Sequence, residues 1–293
     1  MAINIYSEPN SMASPYRPLF MDVSSDEGTI SRMIGDAYVN GTLQATIEKQ
    51  PILGTNDTFR FEIGDVLKKY LFSEFNETFS PPEVLDNTTS ALSYYVRAFE
   101  VLDNGTTLDT SWSEAGAGTN YQQSTTLYSF NGVNQHEDTM SNYIANGSTK
   151  KFLTNRPQNS KILNNQDFYL GALIETSGFS TLFYQTEYDG KNGTGSSLGT
   201  SSAAITSVTY GKATYAVDPS GFNANTQSVV FTANSGIDDS LLTEEFTVNI
   251  HETCGDETVI YWQNHWGEFD TYFFEGRKRE RTKTKTKSIE DRS

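Results

Sequence analysis

Cysteine is almost missing. Cys254 stands alone in 293 residues, which excludes an intramolecular disulfide framework. Histidine is scarce too: His136, His251 and His265, taken with Cys254, form no recognised zinc spacing. His251 and Cys254 fall on one expected strand at an odd offset, which sends their side chains to opposite faces. No run reaches the ~18 consecutive apolar residues of a membrane span. The opening MAINIYSEPNS has neither the basic nor the apolar region of a secretory signal. The expectation is a soluble product of a reducing cytoplasm, without membrane partner or cofactor.

Positive charge is also in short supply, with 21 Lys and Arg against 37 Asp and Glu and a net charge of −16. Such a surface repels nucleic acid and anionic membranes at long range. The exception is one arm, RKRERTKTKTK at 277–287. Its seven basic residues, Arg277, Lys278, Arg279, Arg281, Lys283, Lys285 and Lys287, oppose one acid, so the arm carries +6 and the remainder −22.

Catalytic signatures are lacking. No glycine-rich turn links a strand to a helix in the manner of a nucleotide site, and no GxSxG elbow occurs. Glu257, Glu268 and Asp270 flank an aromatic segment as two glycosidase carboxylates would, but nothing fixes their separation among so many acids. Asp238 with Asp239, or Glu187 with Asp189, could offer oxygens to calcium, yet without an ordered ligand spacing. No catalytic, cofactor or metal residues are therefore assigned. Seven N-x-[ST] sequons, at Asn40, Asn56, Asn76, Asn87, Asn104, Asn146 and Asn192, read as turn chemistry in a chain rich in Asn, Thr, Ser and Gly.

What is abundant is aromatic. Tyr 16 and Phe 18, set among Asn, Thr, Ser and Gly, make a β composition. Strands are predicted at 19–23, 29–39 and 42–49 around an Asn40-Gly41 turn, at 59–63, and at 91–102 with a second hairpin over 106–112. Ile63, Val66, Leu67, Tyr70 and Leu71 have the spacing of one amphipathic helix over 63–72. Further strands are predicted at 127–130, 167–175, 180–188, 204–217, 228–233, 245–251, 258–263 and 269–274. The expected fold is all-β, two tandem Ig-like or fibronectin-like sandwiches: residues 1–112, a linker at 113–123, residues 124–276, and a basic extended arm at 277–293. Residues 190–202 (GKNGTGSSLGTSS) are predicted as a mobile loop.

The end of the chain gathers these features. TVIYW, a QNHWGE turn and FDTYFFEG form an aromatic hairpin that runs into the arm. Alternating Lys and Thr from Thr282 to Lys287 keep the strand period with nothing apolar to bury, so the arm is expected to dock on an acidic neighbour or to add a strand to its sheet. Phosphate contact with DNA requires only charge, but the arm lacks the interleaved aromatics of a single-strand reader, which ranks protein ahead of DNA as partner. The competing use of the hairpin is a stacking platform for glycan, formed by Tyr261, Trp262, Trp266 and Tyr272. Exposure of those rings separates stacking from core.

The segment TVIYWQNHWGEFDTYFFEG, the upstream Phe152-Leu153-Thr154-Asn155-Arg156-Pro157, the alternating strand at Phe168 to Leu173 and the Pro9-Asn10 opening resemble virion structural proteins of tailed phages infecting Bacteroidetes, including crAss-like phages. The resemblance covers about a quarter of the chain. It implies a non-enzymatic collar, ring or tail subunit, located in the virion after synthesis in the host bacterial cytoplasm. Its partners would be further copies and other virion proteins.

Overall fold

The computed structural model describes residues 3–26, 30–53, 57–72, 83–86, 91–102, 121–132, 142–175, 181–190, 193–205, 210–253 and 257–274. The chain is all-β. In the first half lie β1 (Ile3–Ser7), β2 (Met12–Ala13), β3 (Phe20–Ser25), β4 (Ile30–Val39), β5 (Thr42–Lys49) and β6 (Thr58–Glu62). A one-turn helix, α1 (Gly64–Leu67), precedes β7 (Glu83–Asp86), β8 (Ala91–Leu102), β9 (Gln122–Gln123) and β10 (Leu127–Phe130). The second half holds β11 (Ile144–Ala145), β12 (Ser160–Leu163), β13 (Phe168–Glu175), β14 (Thr181–Asp189) and β15 (Ser196–Ile205). After β16 (Tyr210–Val217) come β17 (Ser228–Ser235), β18 (Phe246–His251), β19 (Thr258–Gln263) and β20 (Phe269–Phe274).

The first sandwich packs the sheet β1-β3-β6 against β2-β10-β8-β4-β5, with β9 added to β8. Alternation supplies its core: Met21 and Val23 on β3 and Phe59 and Phe61 on β6 meet Met33, Ala37, Val96 and Ala98 from the opposing sheet. The β4–β5 turn forms as predicted, with Asn40 at φ 48° and Gly41 at φ 79°, the positive values a two-residue hairpin demands. Its neighbour α1 is shorter than predicted. The apolar stripe is real, since Ile63, Leu67 and Leu71 are buried in the first core and Val66 and Tyr70 pack against it. After one turn, however, i→i+3 hydrogen bonds from Lys69 to Val66 and from Tyr70 to Leu67 replace the α pattern.

The second sandwich packs β11-β13-β16-β7 against β12-β18-β17-β14-β15. Phe168, Leu170, Ala213 and Tyr215 from one layer meet Phe183, Val229, Phe231 and Val248 from the other. Phe183 and Tyr215 lie parallel across the interface with centroids 5.4 Å apart.

Three strands depart from the expected domain limits. β7 pairs with β16 and so belongs to the second sandwich, while β9 and β10 pair with β8 and belong to the first. Strands of two to four residues leave little local signal in composition, and the partner of β7 lies more than a hundred residues further along the chain. The 190–202 prediction also changes, because Ser196 onward is strand β15, paired with β14 over its whole length. Residues 106–112, the arm, Cys254 and His136 lie outside the described residues.

Candidate functional site at the terminal hairpin

The predicted aromatic hairpin forms, with β19 and β20 paired from Thr258↔Phe274 to Gln263↔Phe269. Its turn is held by a polar network that begins at Asn264. The Asn264 side-chain carbonyl accepts from the Trp266 and Glu268 amides (2.9 and 3.2 Å), and its amide group donates to Leu153 O and Asp270 Oδ2, both at 3.0 Å. Gly267, at φ +71°, passes so close to Asn131 that a Cβ there would lie 1.9 Å from the Asn131 carbonyl oxygen. Only glycine fits that combination of conformation and contact.

Beneath the turn lies a buried ion pair. Lys212 Nζ sits 2.9 Å from Glu268 Oε1, with side-chain exposures of 0% and 2%. The same ammonium donates to Trp266 O (2.8 Å) and Asn131 O (3.1 Å), and Thr214 donates to Glu268 Oε2 at 2.6 Å. Burial pushes the Lys212 pKa down, against the opposing pull of Glu268. Asp270 is equally occupied, accepting from Thr154 Oγ1 (2.6 Å) and the Asn155 amide (3.0 Å). Glu268 and Asp270, two of the three carboxylates that the sequence offers for hydrolysis, are thus both committed to holding the turn. His251, on β18, lies with its ring against Phe273 at 5.5 Å.

The network also joins the two sandwiches. Trp266 packs in one cluster with Met12 and Phe130 from the first and Leu153 and Leu173 from the second. Ser14 donates to the Gly132 carbonyl, and Tyr16 OH donates to Asn131 Oδ1 at 2.8 Å. Lys212 therefore binds, through Asn131, the segment that leaves the first sandwich.

The four rings proposed for stacking divide. Trp266 is core, 3% exposed. Tyr261 borders on exposure at 36%, donates to Gln166 Oε1 at 2.8 Å and meets Tyr169 edge-on. Trp262 is half-buried, and Tyr272 is 51% exposed. Ile260 and Tyr272 lie directly opposite each other, and Phe274 follows on the same face, so one side of the hairpin carries three exposed apolar side chains.

Next to this face is a groove of about 720 Å³, lined by Trp262, Tyr272, Phe274, Asn155, Arg156 and Lys161 among others. Arg156 is 8% exposed. Its Nη2 donates to Lys161 O at 2.9 Å and its guanidinium lies 5.2 Å from the Phe168 ring, while among the described residues Nη1 has no hydrogen-bond partner. Burial lowers its pKa to about 10, partly offset by Asp270. Neither Lys212 nor Arg156 is singled out by sequence reasoning. The available signal is a lone cation within or beside an apolar strand, as in YGKATYAV, which requires a buried partner.

No known family model matches the chain, and no curated protein matches it. Among solved structures it is similar to the plexin A4 full extracellular region, domains 1 to 8, at 7% identity over 85% of this chain and 27% of that one, with a TM-score of 0.23. The plexin A4 region covering domains 1 to 10 gives 6% identity over 87% and 22%, with a TM-score of 0.24. CBD12 from CALX1.2 gives 9% identity over 86% and 99%, with a TM-score of 0.22. This chain thus spans about a quarter of the plexin chains. Scores this low leave the fold description to rest on the strands and sheets themselves.

Proposed function

We propose that the protein is a non-enzymatic structural component of a tailed-phage virion, a collar, ring or tail subunit that assembles through its terminal hairpin, its sheet edges and the basic arm. The observation that carries the assembly reading is the outward face of the hairpin. Ile260, Tyr272 and Phe274 lie 44%, 51% and 53% exposed on an element that the Asn264 and Lys212 networks hold in place. A rigid element with contiguous exposed apolar surface is characteristic of an interface. The chain leads from Phe274 into the +6 arm against a −22 remainder, which provides electrostatic attraction between copies. The virion assignment rests on the sequence resemblance. The test of the interface is Tyr272→Ser with Phe274→Ser: self-association measured by sedimentation falls at least tenfold, while thermal stability stays within a few degrees of the parent. Unchanged association contradicts the reading.

A second reading is a glycan- or receptor-binding module displayed on the tail. Its specific support is the groove, where Trp262 and Tyr272 offer ring faces beside the polar side chains of Asn155 and Lys161. A glycan array with a carbohydrate ligand whose binding is lost in Trp262→Ala would favour this reading over assembly.

A further inference from the structure

Natural sheets blunt their outer strands with charge, proline, bulges or early termination. Most outer strands here follow that rule. β7 and β12 are four residues long, β2 and β11 two, and β5 ends in Glu48 and Lys49, with Arg32 paired to Glu48 across its surface. β15 does not. Its sequence, SSLGTSSAAI, is ten residues without a charge or a proline, and its outward side chains Thr200, Ser202 and Ala204 are small and exposed or nearly so. One register slip, at Leu198, is its only irregularity. β7 approaches from the opposing layer but pairs with β16, and among the described residues nothing pairs with the outer edge of β15.

The sheet behind this edge carries acids at both ends. Glu187 and Asp189 lie on the adjacent β14, Asp189 opposite Ser196, and Asp238 and Asp239 follow the end of β17 that pairs with the start of β14. A segment suited to this edge would be extended, polar and basic, with small residues on alternate positions. Residues 282–287, TKTKTK, have that composition and the period of 2.

Position selects the donor. β20 lies against β12 and β13, and β12 and β15 are the two outer strands of one five-stranded sheet. Four strand spacings, roughly 19 Å, separate them. Within one chain the arm would have to cross the whole sheet. Between two copies side by side, the hairpin of one faces β15 of the next. We propose that the outer edge of β15 accepts residues 282–287 of a neighbouring copy as an added strand; this rests on the assembly reading above. Donor and acceptor at opposite edges make a head-to-tail contact, which closes a ring or extends a filament according to its rotation.

The test uses the full chain at rising concentration, with native mass spectrometry for association and hydrogen exchange for β15. Thr284→Pro with Lys285→Pro, adjacent residues whose amides point to opposite sides of a strand, removes an inward donor whichever way the arm lies, and the one charge it loses is controlled by the glutamine set that follows. Lys283→Gln, Lys285→Gln and Lys287→Gln together keep the strand but remove charge. On the acceptor, Thr200→Pro and Ser201→Pro are compared, because proline is tolerated only where the amide points out of the sheet. The expected result is slowing of β15 exchange as the parent associates, and association weaker by about tenfold or more in the arm-proline variant and in the acceptor variant that stays folded, the loss of one or two strand hydrogen bonds. Parental association in the arm-proline variant, or β15 protection that is full in the monomer, overturns the β15 inference while leaving assembly standing. A parent that stays monomeric overturns both.

Discussion

Lys212 is the residue on which the joint between the sandwiches depends. Its ammonium meets one carboxylate and two carbonyls in a site without solvent exposure. Removing one partner of such a pair leaves the other charge buried, which costs ~3–5 kcal/mol, whereas replacing both costs far less. Lys212→Met is therefore expected to lower unfolding stability by about that amount in denaturant titrations, and Lys212→Met with Glu268→Leu to recover most of it. A double variant no better than the single would mean that the pair's neighbours, not its charges, dominate. The sequence shows a lysine inside an apolar strand and an acid after a Trp-Gly turn, which signals buried partners without saying which. Their pairing is set by β16 and the hairpin turn meeting in space, 54 residues apart in sequence between Thr214 and Glu268.

At the scale of elements, the hairpin turn links sequence to packing most directly. Gly267→Ala must take both a positive φ and a clash with the Asn131 carbonyl. The strain alone costs ~1–2 kcal/mol, so the variant is expected to melt earlier and to expose Trp266, seen as a red shift of its fluorescence. His265, in the same turn, is exposed, and partial desolvation lowers its pKa below the ordinary 6.5, with Asp270 pulling the other way. The unfolded chain then takes up its proton first as pH falls. Stability from this group is intact above 6.5, declines below it and levels off once the folded imidazole also protonates. His265→Gln should flatten that part of the stability profile measured between neutral and mildly acidic pH. Strand alternation and the Asn40-Gly41 turn make β4, β5, β8, β13, β14 and the terminal hairpin legible from the sequence. β15 escapes the same reading because Ser, Gly and Thr compose loops and polar edge strands alike, and its strand state comes from pairing with β14. α1 is overextended because its stripe of apolar residues continues into a turn that buries the same face.

In the whole molecule, two sandwiches exchange strands and share a small cluster around Trp266. The exchange, with β7 contributed to the second and β9 and β10 to the first, makes a single mechanical unit of what composition divides at 113–123. Among the described residues, the surfaces offered to a partner by the proposed assembly are the exposed hairpin face, the groove beside it and the unpaired outer edge of β15, while the arm lies beyond Phe274 in sequence. Assembly through them should depend on salt, since the +6 arm and the −22 remainder attract across distances that ~0.15 M salt begins to screen. The most direct measurement is the native mass of the full chain against a form ending at Gly276, at matched concentration and low salt. A defined higher-order species, weakened by salt, is expected for the full chain, and a folded, less assembled form for the truncated one. Two monomers of equal behaviour would contradict the assembly reading.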